Sequence, residues 1–181
     1  RAATWLVSCG PSACINCLDP LGYEVSVVTS AGYRLQPDEC VTDYLVDPRN
    51  RDRLNAVRNL GAEWSKQEVP QYYPHVVSVM FGATARFSWD RSWQSITHHL
   101  MAGGTVQVCR KDPGHYVALV GYDSVSDELL YNDSWPARLD NDDGFEVRIG
   151  KYTFEDEHQP YAIYYDRPPA RFLGGMQELT A

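Results

Sequence analysis

Apolar residues recur along this chain with two different periods, and the change from one to the other divides it. The first half is helical in character. After a lead-in carrying apolar Trp5, Leu6 and Val7, residues Ala13, Cys14, Cys17 and Leu18 repeat at the spacing of one helix face. Pro11 suits a first helical turn, where its missing N–H costs nothing. Pro20 and Gly22 close the segment, so the pattern predicts a short helix from Gly10 of about nine residues. Residues 23–36 read as strand or loop, with Val25, Val27 and Val28. Pro37-Asp38-Glu39 opens a helix through about Val46, its acids lying in the first turn as the helix dipole favours. Asn50 to Leu60 reads as a helix stopped by Gly61, residues 62–72 as a surface loop, and Pro74 to Met80 as a short helix. Thr84 to Trp89 alternates like a strand, and Ser92 to Met101 is helical up to Gly103-Gly104.

From Thr105 the period falls to two. Thr105–Cys109, His115–Tyr122, Glu128–Asn132, Gly144–Ile149 and Tyr161–Tyr165 all read as strands. Asn141-Asp142-Asp143-Gly144 supplies a turn, and Glu155-Asp156-Glu157-His158 reads as a charged loop. Helices first and an antiparallel sheet afterwards make an α+β layout. One domain is expected over residues 1–165, followed by a tail from Asp166 to Ala181 that opens with Pro168-Pro169.

Composition narrows the function classes. A chain of 181 residues with 44% hydrophobic and 22% charged residues is globular. Its net charge of −8 speaks against a nucleic-acid groove or an anionic membrane surface as partner. The sequence has no long apolar run for membrane insertion and no visible secretory signal. It begins at Arg1 rather than Met, as a trimmed or excised chain would. Five cysteines is an odd number, and Cys40 and Cys109 are isolated. Cys9, Cys14 and Cys17 therefore find no second pair to complete a zinc site. Reduced thiols and a cytoplasmic place of synthesis are expected.

Three residues carry the one coherent chemical proposal. Cys9 stands at the predicted helix start, in Ser8-Cys9-Gly10-Pro11-Ser12-Ala13. The thiolate is the nucleophilic form of cysteine, and a helix N-terminus and a neighbouring imidazolium both favour it. His115 lies on a predicted strand, sharing a face with Val117 and Leu119, and is the candidate base. Asp133, at the end of the next strand, is the candidate acid that orients the imidazole. Asp123 is the runner-up acid. Gly114 would leave room for substrate beside His115, and Trp135 would lie beside the acid and contact substrate. Cys14 and Cys17, deeper in the helix, read as core.

The runs Cys9-Gly10-Pro11-Ser12-Ala13, Gly114-His115-Tyr116-Val117-Ala118-Leu119-Val120-Gly121-Tyr122-Asp123 and Tyr131-Asn132-Asp133 resemble the papain-like peptidases related to the bacteriocin-processing, double-glycine peptidases. Gln36-Pro37-Asp38-Glu39 and the Trp93, Ile96, Leu100, Gly103 series are similar to a subgroup found in phage lysis proteins and other wall-active enzymes. The resemblance covers roughly residues 5–135 and implies a papain-like fold. It also implies a Cys9–His115–Asp133 triad, no cofactor, and hydrolysis of a peptide or isopeptide bond. The substrate it suggests is peptidoglycan, as for an endolysin acting at the cell wall as a monomer. The alternatives are processing of a leader peptide after Gly-Gly and a silent domain that binds a peptide or partner protein. The chain departs from the family pattern twice. Ser134 replaces the proline that often follows the acid, and residues 1–8 contain no glutamine of the kind the family places before the cysteine for the oxyanion hole. Such a donor contributes roughly 2.7–4 kcal/mol. It lies upstream of Arg1, or another group replaces it, or activity is impaired.

Other patterns are weaker. His98 and His99 are adjacent, so on a helix they face apart and form no metal pair. Asp140 to Gly144 lacks the glycine and glutamate spacing of a calcium loop and reads as a solvated turn. Leu173-Gly174-Gly175 looks like a double-glycine site but reads as a flexible tail.

Overall fold

A computed structural model describes residues 9–25, 27–28, 34–35, 37–57, 70–112, 114–134, 144 and 146–169. Helix α1 (Cys9–Leu18) starts one residue ahead of expectation, so Cys9 is itself the first helical residue. It runs into a 3-10 turn, Asp19–Leu21, and ends at Gly22, whose φ of 82° is the left-handed region that glycine enters without strain. Strands β1 (Val27–Val28) and β2 (Arg34–Leu35) form a small antiparallel pair. Helix α2 (Pro37–Val46) has the bounds the sequence predicts, with Asp38 and Glu39 in its first turn. A 3-10 turn at Pro48–Asn50, capped by the Asp47 carboxylate, leads into α3 (Arg51–Val57). Leu60 and Gly61, the predicted end of that helix, lie outside the described residues, as do residues 62–69 of the predicted loop. Helix α4 (Tyr72–Phe81) is longer than the Pro74–Met80 segment predicted. Strand β3 (Ala85–Ser88) precedes α5 (Trp93–Met101), which Ser92 caps by accepting the Ser95 N–H at its hydroxyl.

The second half holds β4 (Thr105–Lys111), β5 (Gly114–Asp123), β6 (Glu128–Asn132), β7 (Val147–Gly150), α6 (Lys151–Glu157) and β8 (His158–Tyr165). Strands β3 to β8 form one antiparallel sheet in the order β3-β8-β4-β5-β6-β7. The predicted α+β layout, helices first and antiparallel sheet after, is the one found. One expectation is corrected: Glu155, Asp156 and Glu157 belong to α6, and His158 opens β8 rather than ending a charged loop. The helix forms because Phe154, fully buried, stacks on His158 at 4.6 Å and packs against Trp93.

Alternation along the strands assigns the two sheet faces. Ala118, Ile163 and Tyr165 meet α1, α2, α3 and α4 in one core. Val106, Val108, Val117, Leu119 and Tyr164 meet α5 and α6 in another. Strand β4 is unusual in being apolar only on the second side. Its alternate residues, Thr105, Gln107 and Cys109, are buried too, and Thr105 and Gln107 bond to the backbone of α1. Past β8, the Asp166 N–H donates to the Thr84 carbonyl and the Tyr23 hydroxyl donates to the Asp166 carbonyl. Residues 170–181, including Leu173-Gly174-Gly175, lie outside the described residues, as do Asp140 to Asp143.

Candidate active site

Position decides the chemistry of Cys9. Four backbone N–H groups at the start of any α-helix lack intrahelical partners, and the dipole makes that end attractive to negative charge. Cys9 occupies this end of α1, and no acidic side chain of the helix's own first turn competes for it. The thiol is half-buried at the border of a small cluster of Ala13, Cys109, Tyr116 and Tyr161, with Phe87 beside it. Glycine at the next position suits this seat, because a Cβ on Gly10 would run into the Tyr73 hydroxyl unless that side chain shifted. Tyr73 comes from α4, so the nucleophile's helix turn is seated against a second helix.

His115 is the second residue of β5 and is 3% exposed. Its Nε2 stands 2.6 Å from Asp133 Oδ1, a short, charge-assisted hydrogen bond. Asp133 follows directly on β6, the strand paired with β5, and its own N–H donates to the Gly144 carbonyl at 2.8 Å. Asn132 beside it accepts the Glu146 N–H at its side-chain oxygen. Two strands and the start of a third therefore hold the carboxylate on the ring. His115 is also hydrogen-bonded to the Cys9 thiol. Burial by itself would lower the ring's proton affinity, but the bonds to Asp133 and Cys9 and the charges of both groups outweigh it, and the pKa is pushed up to about 9.

The structure thus brings together the three residues that the sequence singled out, and it separates the others. Asp123 sits at the opposite end of β5 from His115, ion-paired to Arg148 at 3.0 Å and held down to about 2 by that pair and by two backbone N–H groups. Gly114 is exposed, and a Cβ there would meet nothing within 4 Å. Trp135 lies outside the described residues. Cys14 and Cys17 are fully buried; burial pushes the Cys14 thiol up to about 12 and the Cys17 thiol well above its ordinary value. None of the five cysteines forms a disulfide. His98 is exposed, while the His99 Nε2 donates to the Tyr165 carbonyl at 2.8 Å. No group of three or more His, Cys, Asp or Glu is set to hold a metal ion among the described residues, and no helix among them is long and apolar enough to cross a membrane.

Sequence reasoning gave no special place to Gln107, Thr105 and Tyr165. A signal for the first was available: a glutamine at the centre of an otherwise buried strand is a polar side chain that must find partners.

The Peptidase_C39 like family matches the chain over residues 3–161, and the chain belongs to that family. Among solved structures it is similar to the crystal structure of the peptidase domain of Streptococcus mutans ComA. That match has 17% sequence identity and a TM-score of 0.42, and covers 67% of this chain and 94% of that chain. A likeness this distant supports no residue-by-residue correspondence. No curated protein matches the chain.

Proposed function

We propose that the protein is a cysteine peptidase in which Cys9 is the nucleophile, His115 the general base and acid, and Asp133 the residue that orients the ring. One observation carries this reading: a single buried imidazole hydrogen-bonds at once to a thiol on a helix N-terminus and to a carboxylate 2.6 Å away. The raised proton affinity of His115, set by its neighbours Asp133 and Cys9, lets the ring take up the proton that leaves Cys9 and hold it for the leaving group. Cys9 Sγ attacks the carbonyl carbon of the scissile bond, and the backbone N–H of Cys9 is one donor to the resulting oxyanion. The C–N bond breaks as His115 gives its proton to the leaving amine, which leaves a thioester on Cys9. His115 then takes a proton from water, the hydroxide attacks the thioester, and the carboxylic acid departs with the thiol restored. Gly114 and Trp135 are the residues we place beside the substrate. No cofactor enters any step.

The substrate we infer is a bacterial cell-wall stem peptide, from the likeness of Gln36-Pro37-Asp38-Glu39 and the Trp93 to Gly103 stretch to phage lysis proteins. Membership of the Peptidase_C39 like family favours a second reading, cleavage of a leader peptide after Gly-Gly. Folded, reduced protein is to be incubated with peptidoglycan fragments and with Gly-Gly peptides, alongside Cys9→Ala. Release of wall peptides that disappears in Cys9→Ala supports the first substrate, and faster cleavage of Gly-Gly peptides replaces it with the second. Binding of either without turnover, equal in native protein and Cys9→Ala, would make this a silent peptide-binding domain.

A further inference from the structure

Helix α1 lies on a buried polar row. Gln107 is completely buried in β4, and its Nε2 donates to the Gly10 carbonyl at 3.1 Å, one residue from the nucleophile. Its Oε1 accepts from the Tyr165 hydroxyl at 2.7 Å. Tyr165, on β8 and also fully buried, packs in one core with Cys14, one helical turn further along α1. Thr105 is two residues before Gln107 on the same side of β4 and stands opposite Tyr165 in the sheet. Its hydroxyl donates to the Cys17 carbonyl at 2.7 Å, near the other end of the helix.

This arrangement exceeds what packing requires. The same face of β8 offers Ile163 to the helical layer, and apolar contacts there tolerate sliding and rotation by fractions of an ångström. Hydrogen bonds do not, because they weaken steeply with distance and angle. The bond at Gly10 also falls where α1 is least able to hold itself. Pro11 has no N–H, so the peptide unit that joins it to Gly10 offers only that carbonyl. Gly10 also lies against the Tyr73 hydroxyl, which a Cβ would meet. A buried amide left unmatched would be destabilising, so the network holds together only when α1 sits in one register.

We propose that Gln107, Tyr165 and Thr105 are positioning residues that fix α1 along its axis and thereby set Cys9 against His115. The inference rests on the peptidase reading above, since it concerns the placement of that nucleophile. Displacement of a reacting atom by about 1 Å can cost on the order of a hundredfold in rate even when the change lies away from the chemistry.

The test compares Gln107→Met, Thr105→Val, Thr105→Ser and Val108→Ala with native protein. Val108 is a buried residue on the opposite face of the same strand, and truncating it lowers stability without touching the row. Two readouts are taken: the iodoacetamide alkylation rate of Cys9 from pH 4 to 9, and kcat and KM on whichever peptide the native protein cleaves. Gln107→Met is expected to lower kcat by roughly 10- to 100-fold with KM within about twofold, and to displace the Cys9 alkylation profile. Thr105→Val moves both readouts in the same direction, and Thr105→Ser restores them. Val108→Ala melts earlier yet alkylates like native protein. Native kcat and a native alkylation profile in both Gln107→Met and Thr105→Val would overturn the proposal while leaving the peptidase reading in place; if Gln107→Met does not fold, the Thr105 pair decides alone. Alkylation of native Cys9 that is indifferent to His115→Ala would overturn the peptidase reading and this inference with it.

Discussion

His115 and His158 flank the same residue. Arg110 of β4 is in register with His115 of β5 on one side and with His158 of β8 on the other. Both rings are almost fully buried. Yet the His115 pKa is pushed up to about 9 and the His158 pKa down to about 4. Burial lowers both, and the neighbours make the difference. His115 has the Asp133 carboxylate at Nε2 and the Cys9 thiol as a second partner. The His158 ring donates its Nδ1–H to the Phe154 carbonyl, and the cations Arg110, Arg91 and Lys111 act against its protonation. One sheet thus holds a histidine of raised proton affinity and one of lowered proton affinity, and the first is the one we propose exchanges a proton with substrate.

The sharpest way to break this contrast is to remove the first ring. His115→Ala is expected to lower kcat/KM by roughly 10⁴-fold or more, as is Cys9→Ala, because the members of such a constellation act as a unit. Steady-state kinetics checks this, with circular dichroism to show that the variants fold. Asp133→Asn keeps the shape and removes the charge. It is expected to cost on the order of 10²- to 10⁴-fold in kcat and to bring the His115 titration below its present pKa of about 9, which NMR of the ring resonances would detect.

The neutral histidine should behave differently. Phe154→Ala removes the fully buried ring on which His158 stacks and is expected to cost about 3–5 kcal/mol of stability. Thermal denaturation measures that loss, and kcat at a temperature where the variant is folded should stay within roughly threefold of native, since α6 lies on the face remote from α1. A loss of kcat as large as that in Asp133→Asn would abolish the distinction between the two histidine environments.

The pH dependence of stability is the smallest effect and the most discriminating. His158 titrates lower in the folded chain than in the unfolded one. Between pH 6.5 and about 4 the unfolded state binds the extra proton, so its contribution is complete above pH 6.5 and is lost as pH falls through that window. His115 titrates higher when folded, so its contribution is complete below pH 6.5 and is lost as pH rises through about 9. Urea denaturation across pH 4 to 10 should show both flanks, the acid one diminished in His158→Phe and the alkaline one in His115→Ala. An acid flank unchanged in His158→Phe would refute the assignment.

Much of the fold was legible because it rests on local signals. Helix α2 kept its predicted bounds through Pro37 and its first-turn acids, and strands form from Thr105 onward where the sequence placed them, although the one expected over Gly144–Ile149 is confined to Val147–Gly150. Helix α6 was not legible. It has seven residues, Gly150 caps it without a side-chain hydrogen bond, and no acid lies in its first turn, so Glu155-Asp156-Glu157 looked like solvated charge. Only the burial of Phe154 between Trp93 and His158 makes it a helix, and that is a tertiary event.

The sequence by itself determined which residues can do chemistry here. Pro11 and the helix period place Cys9 at a helix start, and strand alternation places His115 on one strand and Asp133 at the end of the next, because both depend on residues close in the chain. Tertiary structure alone decided that the thiol of α1 reaches the His115 ring, that Asp133 rather than Asp123 meets Nε2, and that Gln107 holds the Gly10 carbonyl. These contacts join residues far apart in sequence through the packing of a helix on a sheet. No local pattern encodes such packing, since its register is set by every side chain buried between the two.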